Sequence, residues 1–177
     1  GISAGEEHKR SLAFFKKYYK IFPRGVEVYS NHNGRLYDRA KEAGIPRVFV
    51  KDMQEILGAP ITWSFKWHHE IDGVRYVHGD GFGGITAARD GAIVSRQSVV
   101  IGHHHSYAGI NYVANEKEMI FGMNVGCLID KDAYAFKYAK KSKFKPTLGC
   151  GVVLEGVPSW IPLLLDKKGR WTRTLGL

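Results

Sequence analysis

Cysteine is scarce in this sequence, acidic side chains are outnumbered, and no long apolar run occurs. Two cysteines in 177 residues cannot build the disulfide framework of a small secreted domain. Cys127 and Cys150 also lack the Cys-x-x-Cys spacing of a metal pair, so each is expected as a buried thiol. No stretch approaches the roughly 20 apolar residues of a membrane span, and the N-terminal residues lack the basic-then-apolar order of a signal peptide. The expectation is a soluble, cytoplasmic protein without a membrane partner. Internal repeats, low-complexity tracts and linkers are absent too, which points to a single domain over 1–177. What is present is a core-forming composition, 44% hydrophobic and 12% aromatic, with 26 basic against 17 acidic residues and a net charge of +9. Such a chain folds, and its charge favours polyanionic partners without choosing among them.

The spacing of Leu12, Phe14, Phe15, Tyr18 and Tyr19 predicts an amphipathic helix over 6–20, ended by Pro23 and Gly25. Val26 to Tyr29 reads as a strand that runs into a polar turn, Ser30-Asn31-His32-Asn33-Gly34, with helices over 36–43 and 53–57 after it. Alternation over 61–69, with Trp63, Phe65 and Trp67 on one side, and the Asp72-Gly73 dipeptide predict a hairpin with Val74 to Val77. A glycine-rich loop over 79–84, a short helix and an apolar strand over 98–101 come next. Further strands are expected over 111–114, 117–123, 149–154 and 160–165, with a basic turn over 167–170. Lysines and aromatics interleave over 131–145, which fits either a solvated amphipathic helix or a surface for phosphate-rich partners.

Chemistry concentrates in the histidines. Gly102-His103-His104-His105 follows an apolar strand, and alternate positions of an extended turn let His103 and His105 face one point while His104 faces away. Asn31-His32 and His78-Gly79 follow two other expected strands. Three segments thus deliver imidazoles, or an amide and an imidazole, to strand C-terminal ends, where open α/β sheets place their ligands.

In order along the chain stand Ser30-Asn31-His32-Asn33, Val77-His78-Gly79, Gly102-His103-His104-His105 and Asn124-Val125-Gly126-Cys127. This series resembles the calcineurin-like metallophosphoesterases, whose pattern runs Gly-Asn-His-Asp/Glu, His-Gly, Gly-His-x-His and Asn-x-Gly-Ser. The resemblance covers residues 10–130, and Gly149-Cys-Gly-Val-Val is similar in style to the small phosphoesterases of phage genomes. It implies an α/β fold, a β-sandwich flanked by helices. It also implies a two-metal phosphoesterase in which Asn31, His78 and His103 bind the second metal, His105 binds the first, and His32 is the general acid. Two divalent ions about 3.5–4 Å apart polarise a phosphoryl oxygen and lower the pKa of a shared water. Manganese is expected, with iron, zinc and nickel equally suited to Asn and His ligands. Arg35 is a candidate for binding a non-reacting phosphate oxygen, the alternative being an exposed arginine at a helix start.

The family's Asp-x-His and Gly-Asp-x-x-Asp motifs are missing, and with them the carboxylate that bridges the metals. The expectation is therefore the C-terminal portion of such a domain, lacking its first strands. The alternatives are a complementing N-terminal segment from another chain or a homodimer through the open edge. Asn31, His78, His103 and His105 are all neutral ligands, so they alone do not offset the repulsion of two dications. One weakly held, pH-dependent metal on Asn31, His78 and His103 is the reduced expectation, with little or no activity of the chain by itself. Glu6, Glu7 and His8 are read as helix capping rather than as substitute ligands. Asn33 stands where the family has an acidic residue beside the catalytic histidine, Ser30 where it has Gly, and Cys127 where it has Ser. The substrate is a phosphate ester, a nucleotide or nucleic acid among the candidates. The competing reading is a non-catalytic nucleic-acid-binding module using Lys137, Lys140, Lys141, Lys143 and Lys145.

Overall fold

The computed structural model describes residues 3–129 and 143–175, in a chain that forms two compact units, 1–69 and 70–177. Both mix helices and strands, so the protein is α/β. Among the described residues no helix is long and apolar enough to cross a membrane. The lysine-aromatic stretch falls almost wholly outside the described residues, Lys137, Lys140 and Lys141 included.

The first unit starts with helix α1, Ala4–Ile21. Ser3 caps it by accepting from the Glu6 amide, and Glu6 is bound to Arg10 at 3.2 Å, so the acidic first turn serves the helix. Tyr19 is buried edge-on against Trp63, with ring centres 5.1 Å apart, and Phe15 stacks on Tyr19 at 5.8 Å. Strand β1, Gly25–Val28, pairs in parallel with β2, Trp63–Lys66, Gly25 lying opposite Trp63. A Cβ at Gly25 would stand 2.6 Å from the indole ring, so glycine admits the tryptophan. Between these strands lie α2, Asn31–Glu42, a 3-10 turn at Arg47–Phe49, and α3, Met53–Ile56.

Two sequence expectations are corrected here. The polar Ser30 to Gly34 segment is the start of α2 rather than a turn, because Ser30 and Asn33 form a capping box that satisfies the first amides. Residues 61–69 are not one hairpin strand: β2 joins β1, and a separate strand β3, His68–Ile71, takes the hairpin position.

The second unit is built on a five-stranded sheet in the order β3-β4-β5-β7-β6, the unit boundary falling inside β3. Its other strands are β4 (Val74–Val77), β5 (Ser98–Ile101), β6 (Gly109–Ala114) and β7 (Met119–Asn124). Asp72 and Gly73 both take left-handed angles, φ 52° and 75°, as the tight hairpin turn requires. Strands β4, β5 and β7 run parallel, and β6 is antiparallel to β7. The β4 to β5 crossover is helix α4, Ala87–Ser95.

Helix α4 presses Ala87, Ala88 and Ala92 onto Val99 and Ile101. Its small side chains set how close it lies: a Cβ at Gly122 would meet the Ala88 carbonyl at 2.2 Å. The opposite face holds Val74, Val100, Phe121 and Met123. Val153 covers it from β8 (Gly149–Leu154), which with β9 (Val157–Leu165) and β10 (Trp171–Leu175) forms a three-stranded antiparallel sheet. Cys150 is exposed, against expectation, because β8 turns Gly149 and Gly151 inward and the alternation sends the residue between them outward.

Gly122→Ala is expected to cost about 2 kcal/mol or more, since backbone and not a flexible side chain must give way. Gly109→Ala, with open space around it, should stay within about 1 kcal/mol of wild type. Chemical denaturation of the two variants checks this. Burial raises the Glu27 carboxyl above its ordinary pKa, and burial together with the Glu27 charge raises the Tyr19 hydroxyl. The folded state therefore holds the Glu27 proton more tightly than the unfolded state. That contribution is complete below the ordinary glutamate range and is lost as pH rises through the higher folded pKa. Glu27→Gln should flatten this decline and leave the variant more stable than wild type at neutral pH, read from melting temperature against pH.

Candidate functional site

Because β4 and β5 are adjacent and parallel, the chain leaves both at the same edge of the sheet. The ladder runs one step past the strands, the Gly102 amide donating to the His78 carbonyl at 3.1 Å. The next side chains meet: His78 Nε2 lies 2.8 Å from His103 Nδ1, the rings nearly perpendicular with centres 4.7 Å apart. In their neutral forms one of these nitrogens carries the hydrogen and the other accepts it. Both residues are half-buried.

The His104 ring is bound to backbone, and the His105 carbonyl is tied in beside it. His104 directs Nε2 to the Phe82 carbonyl at 2.9 Å and stacks on Tyr107 at 5.3 Å, while the Tyr107 hydroxyl donates to the Gly84 carbonyl. The His105 carbonyl accepts from the Thr147 amide at 2.7 Å and from the Cys127 thiol at 3.7 Å. Burial raises the Cys127 pKa, which keeps it a neutral thiol rather than a thiolate ligand. At the end of β7, buried Asn124 accepts from the Gly126 amide at 3.1 Å through Oδ1. This side-chain turn suits Gly126, whose φ is 70°. Sequence reasoning missed Tyr107 and Thr147. Their partners are carbonyls of distant loops, which no residue pattern marks.

The remaining candidates, Asn31, His32 and Arg35, belong to the first unit. Asn31 opens α2 and is half-buried, while His32 and Arg35 are exposed on its first turns. Ser30 Oγ accepts from the His32 and Asn33 amides, each at 3.2 Å, and Asn33 Oδ1 accepts from the Ser30 amide at 3.3 Å. The amide oxygen of Asn33 is thereby committed to the cap. Ser30→Ala should cost about 1 kcal/mol and fray the first turn of α2, seen as faster amide exchange at 31–34 with α4 unaffected.

As a metal site the histidine couple fits in part. Metal–nitrogen bonds of about 2.0–2.1 Å in a tetrahedral site place two ligand nitrogens about 3.3 Å apart, somewhat wider than the 2.8 Å hydrogen-bonded spacing of His78 and His103. Among the described residues, however, no group of three or more His, Cys, Asp or Glu side chains is assembled that could hold an ion. The two imidazoles of His78 and His103, in hydrogen-bond contact, are therefore the firm part of the site. Comparison with protein-family models, curated proteins and solved structures gives no match for this chain.

Proposed function

We propose that the chain carries part of the active site of a metal-dependent phosphoesterase of the calcineurin-like kind, with His78 and His103 as two ligands of one divalent cation. The observation behind this reading is the 2.8 Å approach of His78 Nε2 to His103 Nδ1 at the ends of adjacent parallel strands. Order supports it as well: the two histidines come from the His-Gly and Gly-His-x-His segments that carry the sequence resemblance. A five-stranded and a three-stranded sheet with α4 on the outer face of the larger one is compatible with the layered β-sandwich of that family.

A bound cation would supply Lewis-acid polarisation of a phosphoryl oxygen and a water of lowered pKa. The chain's own contributions are separable from that. His78 and His103 offer nitrogen lone pairs only in their neutral forms, and a shared cation would take the place of the hydrogen now held between Nε2 and Nδ1. His105 is assigned to a further metal, Asn31 to the same ion as the histidine couple, and His32 to protonation of the leaving oxygen, all on the resemblance alone. Arg35 is assigned to the phosphate in the same way. Net charge +9 favours approach of an anionic ester. Carboxylate ligands are not among these residues, and the low activity expected of this chain follows from the uncompensated charge.

Hydrolysis of p-nitrophenyl phosphate and bis-p-nitrophenyl phosphate with added Mn²⁺ tests the proposal. Slow turnover that chelation abolishes is the expected result, with His103→Ala and His32→Ala each lowering it on the order of a hundredfold. Wild-type rates in both variants would reject the assignment. So would tight, steeply salt-dependent binding of DNA or RNA without metal and without turnover, the mark of a basic binding module.

A further inference from the structure

We infer that His104 and Tyr107 are positioning residues, a two-point clasp that ties the loop carrying His103 to the loop following His78 and so sets the separation of those two imidazoles. The role in metal binding rests on the phosphoesterase reading, whereas the clasp itself does not.

The loop after His78 cannot fix its own shape. Glycines stand at 79, 81, 83 and 84, and three of them take left-handed angles, φ 105°, 97° and 76° at 79, 81 and 84. Glycine loses more backbone freedom on ordering than any other residue. The loop's own backbone bonds are long: Phe82 amide to Gly79 carbonyl and Ala87 amide to Gly84 carbonyl are both 3.3 Å. One end is set by sterics, since a Cβ at Gly79 would stand 2.9 Å from the Ile101 Cβ and only glycine lets the chain pass there.

Among the described residues, further restraint comes from the neighbouring loop. His104 Nε2 reaches the Phe82 carbonyl at 2.9 Å, and Tyr107 donates its hydroxyl to the Gly84 carbonyl. A carbonyl only accepts, so His104 must carry its hydrogen on Nε2. The Tyr107 hydroxyl is a phenol and so a donor at neutral pH. The two rings are nearly parallel, 16° apart, so both contacts move as one. His104 also sits edge-on to His103 at 5.1 Å, and a shift at the clasp is passed directly to the ring that faces His78. Hydrogen bonding between imidazoles fails within a few tenths of an ångström beyond about 3.2 Å, so small loosening is enough to matter.

Three variants decide the matter. Tyr107→Phe keeps the stack and removes one donor; His104→Ala removes the other; His104→Gln keeps an N–H donor. Imidazole ¹⁵N spectra are taken at one fixed pH above the histidine range, where the wild-type bond holds His78 and His103 each in a single tautomer. Tyr107→Phe and His104→Ala should mix those tautomers and speed amide exchange over 79–84 on the order of tenfold, with melting temperature unchanged and His104→Gln restoring the wild-type spectrum. Unchanged tautomers in both variants, or loss only in step with a lowered melting temperature, would overturn the clasp. Mn²⁺ titration of the same proteins, followed by the free-ion electron spin resonance, separates the two ideas. Binding weakened on the order of tenfold in Tyr107→Phe supports both. A wild type that shows the locked tautomers but binds no Mn²⁺ overturns the metal reading and leaves the clasp standing.

Discussion

Parallel pairing of β4 with β5 is the constraint from which the candidate site derives. Residues 78 and 103 are separated by a loop, a helix and a strand, yet the register Val74 opposite Ser98 to Tyr76 opposite Val100 brings both chain exits to one edge. An antiparallel pair would place the two exits at opposite ends. Parallel pairing needs a crossover, and α4 serves as one only because it lies very close to the sheet. Ala87, Ala88, Gly91 and Ala92 on the helix and Gly122 on β7 make that approach sterically allowed. Small residues far from the histidines thus decide where the histidines meet.

The first unit is organised differently. Its contacts are mainly aromatic: Tyr18 and Tyr19 on Trp63, and Tyr29 against Tyr37, Phe65 and Trp67. These rings cluster on the face of the β1-β2 pair that also carries Glu27. A carboxyl placed there is desolvated, and no described partner compensates its charge, which is why its proton is held firmly. Other apolar side chains of this unit, Val48, Phe49 and Ile61, are largely exposed. Aromatic contacts can order a unit without enclosing it, and here they form two groups, Tyr18 and Tyr19 of α1 on Trp63, and Tyr37, Phe65 and Trp67 around Tyr29.

Much of the local structure was legible because it depends on neighbouring residues. The aromatic spacing of α1, the Asp72-Gly73 turn, and the hairpin around Asn115, whose side chain accepts from the amides of Lys117 and Glu118, all follow from near neighbours. The misreadings have the same origin. Ser-Asn-His-Asn-Gly has turn composition, and only the reciprocal bonds between Ser30 and Asn33 make it a helix start. The alternation of Trp63, Phe65 and Trp67 continues past the point where the strand breaks, because rings on one side satisfy the period whether or not the backbone stays paired. Placing His78 and His103 at strand ends was within reach of sequence. Their orientation was not, since it depends on the carbonyls of Phe82 and Gly84, which any residue type would present equally.

Charge links the histidine couple to the proposed chemistry. His78 and His103 bring two lone pairs and no negative charge of their own, so their part in holding a cation would leave its charge to be balanced by other groups. Carboxylate ligands would neutralise it in advance and make metal binding strong whether or not substrate is present. On the proposed reading, part of the balancing charge would arrive with the ester, whose phosphate group carries one or two negative charges at neutral pH. Cation and phosphate would then stabilise one another on the protein, and by linkage each would raise the affinity of the other by the same factor. A site of this composition is weak for either component alone and substantially stronger for both together.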